Sequence, residues 1–272
     1  MRKGIFSGLI LLFLVACGNP DGTLVGVQLR LVTYAGIRPS TVALGSVPQG
    51  SAEPSAKARA TLSYALSPDD SLWINIEEYA DPVVAYASWL NRGLGPERMP
   101  RIIGQVVEQS IWSGRWIFLF RSSPHRLPEQ GAMDSLVGSF PETGGTLPAA
   151  FLTLPLRARS PSGASVQKGV FLGVNLPNSM LCQRYQDQVG PWSAARSLKA
   201  LDESDFAGFY QELALQGTKP ATSGDEWTEF IQGRTRVIVG RVDGILLAVW
   251  GRRDQTTLVS LWKEARRTIK TE

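Results

Sequence analysis

Two short stretches, Trp116-Ile-Phe-Leu-Phe120 and Ile245-Leu-Leu-Ala-Val249, are apolar at every position. As β-strands they present apolar side chains to both faces of a sheet, which a sheet with one face in water does not tolerate. Each stretch is the second arm of a hairpin. Residues 105–112 turn through Ser113-Gly114 into 115–120, and residues 234–242 turn through Asp243-Gly244 into 245–250. Asp-Gly is a strong short-range hairpin signal. The chain must therefore build antiparallel sheets covered on both sides, by helices on one face and by something else on the other, most simply the other half of the chain.

The remaining pattern supplies those helices. Residues 60–66 and 72–77 alternate around Ser67-Pro68-Asp69-Asp70, a turn whose Pro and Asp give it a mechanism. Asp81 then caps a helix with Pro82 at its first position, and Val84 or Ala85, Tyr86, Trp89 and Leu90 form its apolar face. A short helix over about 129–140 offers Met133, Leu136, Val137 and Phe140 to the core. A strand at 197–201 precedes a helix from Ser204 or Asp205, which presents Phe206, Phe209, Tyr210 and Leu213. From Asp254 a last helix buries Leu258, Leu261, Trp262, Ala265 and Ile269. Asp81 superposes on Asp205 and Tyr86 on Tyr210 at an offset of 124 residues, and Ser113 on Asp243 at 130. The predicted fold is α+β: two packed repeats, each a mainly antiparallel sheet with helices on one face. The boundaries are a signal peptide over 1–16, an anchor, strand and flexible loop over 17–57, a first repeat over 58–145 and a second over 146–272. Alternation over residues 24–34 reads as the strand of the anchor region.

The first residues specify location. Met1-Arg2-Lys3 is basic, and the apolar run from Ile5 to Val15 is broken only by Ser7 and Gly8. It is shorter than the roughly 20 residues a spanning helix needs, so it reads as a secretory leader. It ends in Leu14-Val15-Ala16-Cys17, which resembles the bacterial lipobox. That resemblance implies a diacylglycerol thioether on Cys17, cleavage before it and acylation of the new amino terminus, with the acyl chains as the contact to the membrane. Gly18 and Asn19 follow with no Asp after the cysteine, which in a Gram-negative cell implies the periplasmic face of the outer membrane. Lipidation consumes Cys17 and leaves Cys182 without an intramolecular partner, read as a buried thiol.

Composition excludes several functions. Lys+Arg 28 against Asp+Glu 24 gives +4, falling to 26 against 24 once Arg2 and Lys3 leave with the leader. That excess is no footprint for nucleic acid. One histidine and two cysteines leave no His/Cys metal cluster, and no phosphate-cradling loop suggests a cofactor. His125, in Ser122-Ser-Pro-His-Arg-Leu-Pro128, lacks a Gly-x-Ser-x-Gly elbow to supply a nucleophile and reads as a loop residue. Asp69-Asp70 and Glu77-Glu78 evoke a cell-wall hydrolase, but strand neighbours point to opposite faces and make no acid/base couple. Among eight tryptophans, Trp112 and Trp192 lie beside turns as candidate surface aromatics. Arg234, Arg236, Arg252 and Arg253 gather at one end of the last hairpin, a candidate basic patch toward anionic lipid or an acidic partner, set against a plain solvated sheet end.

The order of elements, the lipoprotein start and Trp112-Ser-Gly-Arg-Trp116 resemble an uncharacterised family of exported bacterial proteins with two α+β repeats, over about residues 60–269. The Asn-Gly-rich segment of that family's first repeat is missing, and the family implies no activity. The expectation is a non-enzymatic lipoprotein with a binding or assembly role toward an envelope protein. The alternatives are a carrier or sensor of a small amphiphile between the repeats and, behind it, a cell-wall hydrolase.

Overall fold

The hairpins expected from their turn residues organise two antiparallel sheets in a computed structural model that describes residues 27–45, 56–92, 100–123, 126–144, 146–155, 158–215, 220–223 and 226–269. The leader, Cys17, the loop expected before residue 56 (in its 46–55 part) and His125 lie outside the described residues.

The first sheet holds β1 (Thr41–Gly45), β2 (Ala58–Ala65), β3 (Ser71–Glu78), β4 (Arg101–Ile103), β5 (Val106–Ser113) and β6 (Trp116–Ser122), in the order β1-β2-β3-β6-β5-β4. Helix α1 (Pro82–Asn91) joins β3 to β4, and α2 (Gln130–Gly138) and the single turn α3 (Ala149–Leu152) follow β6. The second sheet holds β7 (Arg159–Gln167), β10 (Met180–Asp187), β11 (Gly190–Ser197), β12 (Pro220–Ser223), β13 (Trp227–Gln232), β14 (Thr235–Val242) and β15 (Ile245–Gly251), in the order β12-β13-β14-β15-β11-β10-β7. A small hairpin of β8 (Val170–Phe171) and β9 (Val174–Asn175) stands between β7 and β10. Helix α4 (Glu203–Leu215) follows β11, and α5 (Gln255–Ile269) closes the chain. The class is α+β, mostly antiparallel sheet with a few helices.

Local chemistry explains the joints. Asp243 and Gly244 both have positive φ, 50° and 84°, as a two-residue hairpin turn of the primed kind demands. Asp81 Oδ1 accepts from the Val83 amide at 2.7 Å, satisfying an amide that the first turn of α1 would leave orphaned. Asp254 does the same for Thr257 at 2.8 Å ahead of α5, and Asp202 for Asp205 at 2.7 Å at α4.

Both faces of both sheets are covered. On the first, Leu62, Ile74, Phe118 and Phe120 meet Met133 and Leu136 of α2, while Ile117 and Leu119 meet Ala85 and Trp89 of α1 on the opposite face. On the second, Ile238, Leu247 and Val249 pack under Leu258, Trp262 and Ala265 of α5. Its other face, with Val237, Val239 and Leu246, takes Phe209 and Leu213 of α4 and Phe171 of the small hairpin. This corrects the expectation of helices on one face: the two helices of each sheet lie on opposite faces, as strands apolar on both sides require.

Helix α1 is the hinge of the assembly. Trp89 looks to the first sheet, donating its indole N–H to Ser110 Oγ at 2.9 Å, while Ala87 joins the core of the second and the helix lies against β7. Tyr86 packs edge-on against Trp112 at 4.8 Å and against Phe151 of α3 at 4.6 Å, so one ring touches material from both sides.

Two local expectations fail. Where residues 24–34 were to be a strand, the described part forms a 3-10 turn at Leu29–Leu31 and a single bridge between Tyr34 and Ile37. Leu29, Val32 and Tyr34 are the buried residues, at spacings of three and two, so the strict alternation of a strand is not kept. The strand expected at 197–201 ends at Ser197, because the next residues wrap the β14–β15 turn, with the Leu201 amide donating to Gly244 O at 2.8 Å.

Candidate functional site

Strand β7 is the edge of the second sheet, and its outer end borders a groove of about 500 Å³. Its shape follows from two backbone irregularities. Gly163 sits where a Cβ would come within 2.8 Å of Arg184 O and of the Gln183 carboxamide, so only glycine lets β7 approach β10. Opposite it the β7–β10 register shifts between Gln183 and Tyr185, where residues 160–163 of β7 face the single residue Arg184 of β10, whose exposed side chain lines the groove. Gln183 is buried, and its amide donates to Arg184 O at 2.8 Å and Ser160 O at 3.3 Å, pinning the bulge from inside.

Lys168 closes the groove at the end of β7, and the β8–β9 hairpin supplies Val170 and Leu172. That hairpin turns through Leu172 and Gly173 at φ 52° and 81° and is tied back by the Leu176 amide donating to Gly169 O at 2.9 Å. Asn91, the last residue of α1, completes the wall. Among the described residues no acidic side chain lines the groove, and neither Lys168 nor Arg184 forms an ion pair. Two exposed cations beside half-exposed Val170 and partly buried Leu172 make a concavity that is cationic at one part and apolar at another.

Several acids are engaged elsewhere. Glu77 meets Arg59 at 3.2 Å and Arg92 at 2.6 Å, and it accepts from Tyr79 Oη at 2.9 Å. Burial and the Glu77 charge push the Tyr79 phenol up to about 12. Fully buried Glu78 lies 3.2 Å from Arg115, which also reaches Glu142 at 3.1 Å. Glu229, buried, pairs with Arg236 at 2.6 Å. Asp70 accepts from Ser123 Oγ at 2.8 Å. Among the described residues no group of three or more His, Cys, Asp or Glu could hold a metal, and no helix is long and apolar enough to cross a membrane.

The four arginines of the last hairpin have three different fates. Arg234 and Arg252 are exposed, and Arg236 is half-exposed and joined to Glu229. Arg253 is drawn inside: it donates to Asp187 and to Gly190 O at 2.6 Å, and its guanidinium lies 5.9 Å from the centre of the Trp192 ring. The Arg253 hydrogen bond holds the Asp187 carboxyl below its ordinary value. Trp192 is accordingly a core residue, stacked on Tyr185 at 3.8 Å, and Trp112 is partly buried. The exposed tryptophan is instead Trp73, on β3, at 43%. Cys182 is buried on the α4 face of the second sheet, and desolvation pushes its thiol up to about 12.

Lys168 and Arg184 were not singled out from sequence, because Pro161 and Gly163 make residues 159–167 read as loop and hide the edge strand. The available signal was the Gln167-Lys168-Gly169 junction, a cation placed at a turn between two apolar valines.

No protein-family model matches the chain. No curated protein matches it either. A solved structure, a GTP binding regulator from Thermotoga maritima, aligns with 46% of this chain and 87% of its own at 12% identity and a TM-score of 0.33, a likeness too slight to bring an activity with it.

Proposed function

We propose that the chain is an exported lipoprotein, held to the membrane by acyl chains on Cys17, whose body is a non-catalytic binding or assembly module. The observation that carries the binding role is the groove beside β7, a preformed concavity holding two cations that pair with no acid among the described residues, while Glu77, Glu78 and Glu229 are each matched to an arginine. The anchor rests on Leu14-Val15-Ala16-Cys17, and the exposed Arg234 and Arg252 add a second cationic surface for an anionic lipid or an acidic envelope partner.

We read the two sheets as packed copies of one unit. The orders β1-β2-β3-β6-β5-β4 and β7-β10-β11-β15-β14-β13 correspond strand for strand, with a helix after the third and the last strand of each unit and β12 added at one edge. On this reading the groove lies at the junction of the units, since Asn91 belongs to the first and Lys168 and Arg184 to the second. That position favours, as second reading, a carrier or sensor holding an amphiphile between them.

Crosslinking and mass spectrometry on cells expressing the native chain, with Cys17→Ser alongside, test the role. A stoichiometric partner lost in Cys17→Ser supports an anchored assembly component, and no partner at adequate yield supports the carrier. Two acyl chains make attachment stable where one is marginal, so Cys17→Ser should move the protein into the soluble fraction. Continued membrane association of that variant would defeat the anchor.

A further inference from the structure

We infer that the groove beside β7 binds a single-chain anionic amphiphile, its oxyanion head between Lys168 and Arg184 and its apolar chain along Val170 and Leu172; the assignment rests on the binding role proposed above. The charge balance selects the ligand. Two cations share one concavity with no acidic residue among the described residues of its lining, so a cationic ligand is repelled and a neutral one leaves both charges unanswered. Arg184 brings a planar fork suited to a phosphate or carboxylate, Lys168 a mobile point charge, and the Asn91 carboxamide a neutral donor.

The rest of the lining selects the tail. Val170 is 51% exposed and Leu172 partly buried, so apolar surface shares the lining with the two cations. Gly173 carries no side chain into the groove, which lets a chain approach the backbone there. A volume of about 500 Å³ suits one acyl-length chain and falls within the range of small-molecule sites. The backbone at Arg184 is held by buried Gln183, whose amide donates to Arg184 O, so the point from which the guanidinium reaches is fixed before any ligand arrives.

The test is calorimetric titration of the full lipidated chain in phosphatidylcholine nanodiscs, with empty nanodiscs subtracted. The probes are octyl phosphate, octanoate, inorganic phosphate and octyl glucoside. Saturable binding of octyl phosphate or octanoate is expected, and the tighter of the two names the head group. Inorganic phosphate should bind about tenfold more weakly or worse, because it lacks the tail. Octyl glucoside should give no heat above empty discs. Lys168→Ala combined with Arg184→Ala should weaken the anionic probes by about tenfold or more, with an unchanged melting temperature because both side chains are exposed. Lys168→Arg should retain binding, and raising the salt should weaken it. Equal binding of octyl glucoside, equal binding of inorganic phosphate, or no effect of the double substitution overturns the assignment. Each is read with the anchor intact, so these failures are distinct from failure of the Cys17 reading.

Discussion

Gly240 lies mid-strand in β14 directly beneath the Trp262 indole, and a Cβ there would run into both that ring and Glu226 O. Its backbone is ordinary, so the requirement is one of volume: α5 sits as low on the sheet as a missing side chain allows. Trp262 is fully buried and donates its indole N–H to Leu247 O at 3.2 Å, which fixes the ring over that gap. Gly240→Ala should therefore cost about 1–3 kcal/mol in urea unfolding through overpacking. Gly131→Ala in α2, where a Cβ meets nothing within 4 Å, should instead leave stability unchanged or raise it by up to about 1 kcal/mol. Cys182 gives a second test at this scale. Its thiol is buried and pushed up to about 12, so a thiol reagent at pH 8 should leave it unmodified in the native chain and label it fully in denaturant. Rapid native labelling would contradict the burial.

Among the elements, α4 and α5 start on aspartates whose carboxylates accept hydrogen bonds: the Asp205 amide lowers the Asp202 carboxyl, and the Thr257 hydroxyl, followed by the Thr257 amide, lowers that of Asp254. Asp187 is lowered by Arg253. A carboxyl depressed in the folded state stabilises above its unfolded value, and that contribution disappears as pH falls through the folded value. The melting temperature should hold steady above about pH 5 and decline below it, with the decline shallower in a variant carrying Asp187→Asn, Asp202→Asn and Asp254→Asn. An equally steep acid limb in that variant would remove these three groups from the account. The same local devices explain which elements could be read in advance. Turns at Ser113-Gly114 and Asp243-Gly244, the cap at Asp81 and the apolar stripe of α5 depend on neighbours within a few positions, and all are legible. Strand β7 is not, because Pro161 is tolerated only by virtue of lying at a sheet edge, which is a tertiary fact. Residues 160–163 of β7, which face Arg184 alone, likewise keep no strand period, so the groove beside them left almost no pattern. Arg253 looked like a surface cation until Asp187 and Trp192, more than sixty positions earlier, enclosed it.

For the whole molecule the decisive arrangement is α1 shared between two sheets. Trp89 and Ala85 face Ile117 and Leu119, while Ala87 meets the core that contains Phe151 and Val166. Trp89→Ala should cost about 3–5 kcal/mol, and the loss should be felt across the boundary as faster amide exchange in β7. Unchanged protection in β7 would mean that the sheets are stabilised separately. The sharing also sets a timetable. Synthesis completes α1 at Asn91, but β7 is not finished until Gln167, several seconds later at about 5–20 residues per second. Until β7 is in place the side of α1 bearing Val83 and Ala87 has no strand to rest on, so the unfinished chain carries an adhesive surface whose concealment waits on residues made later.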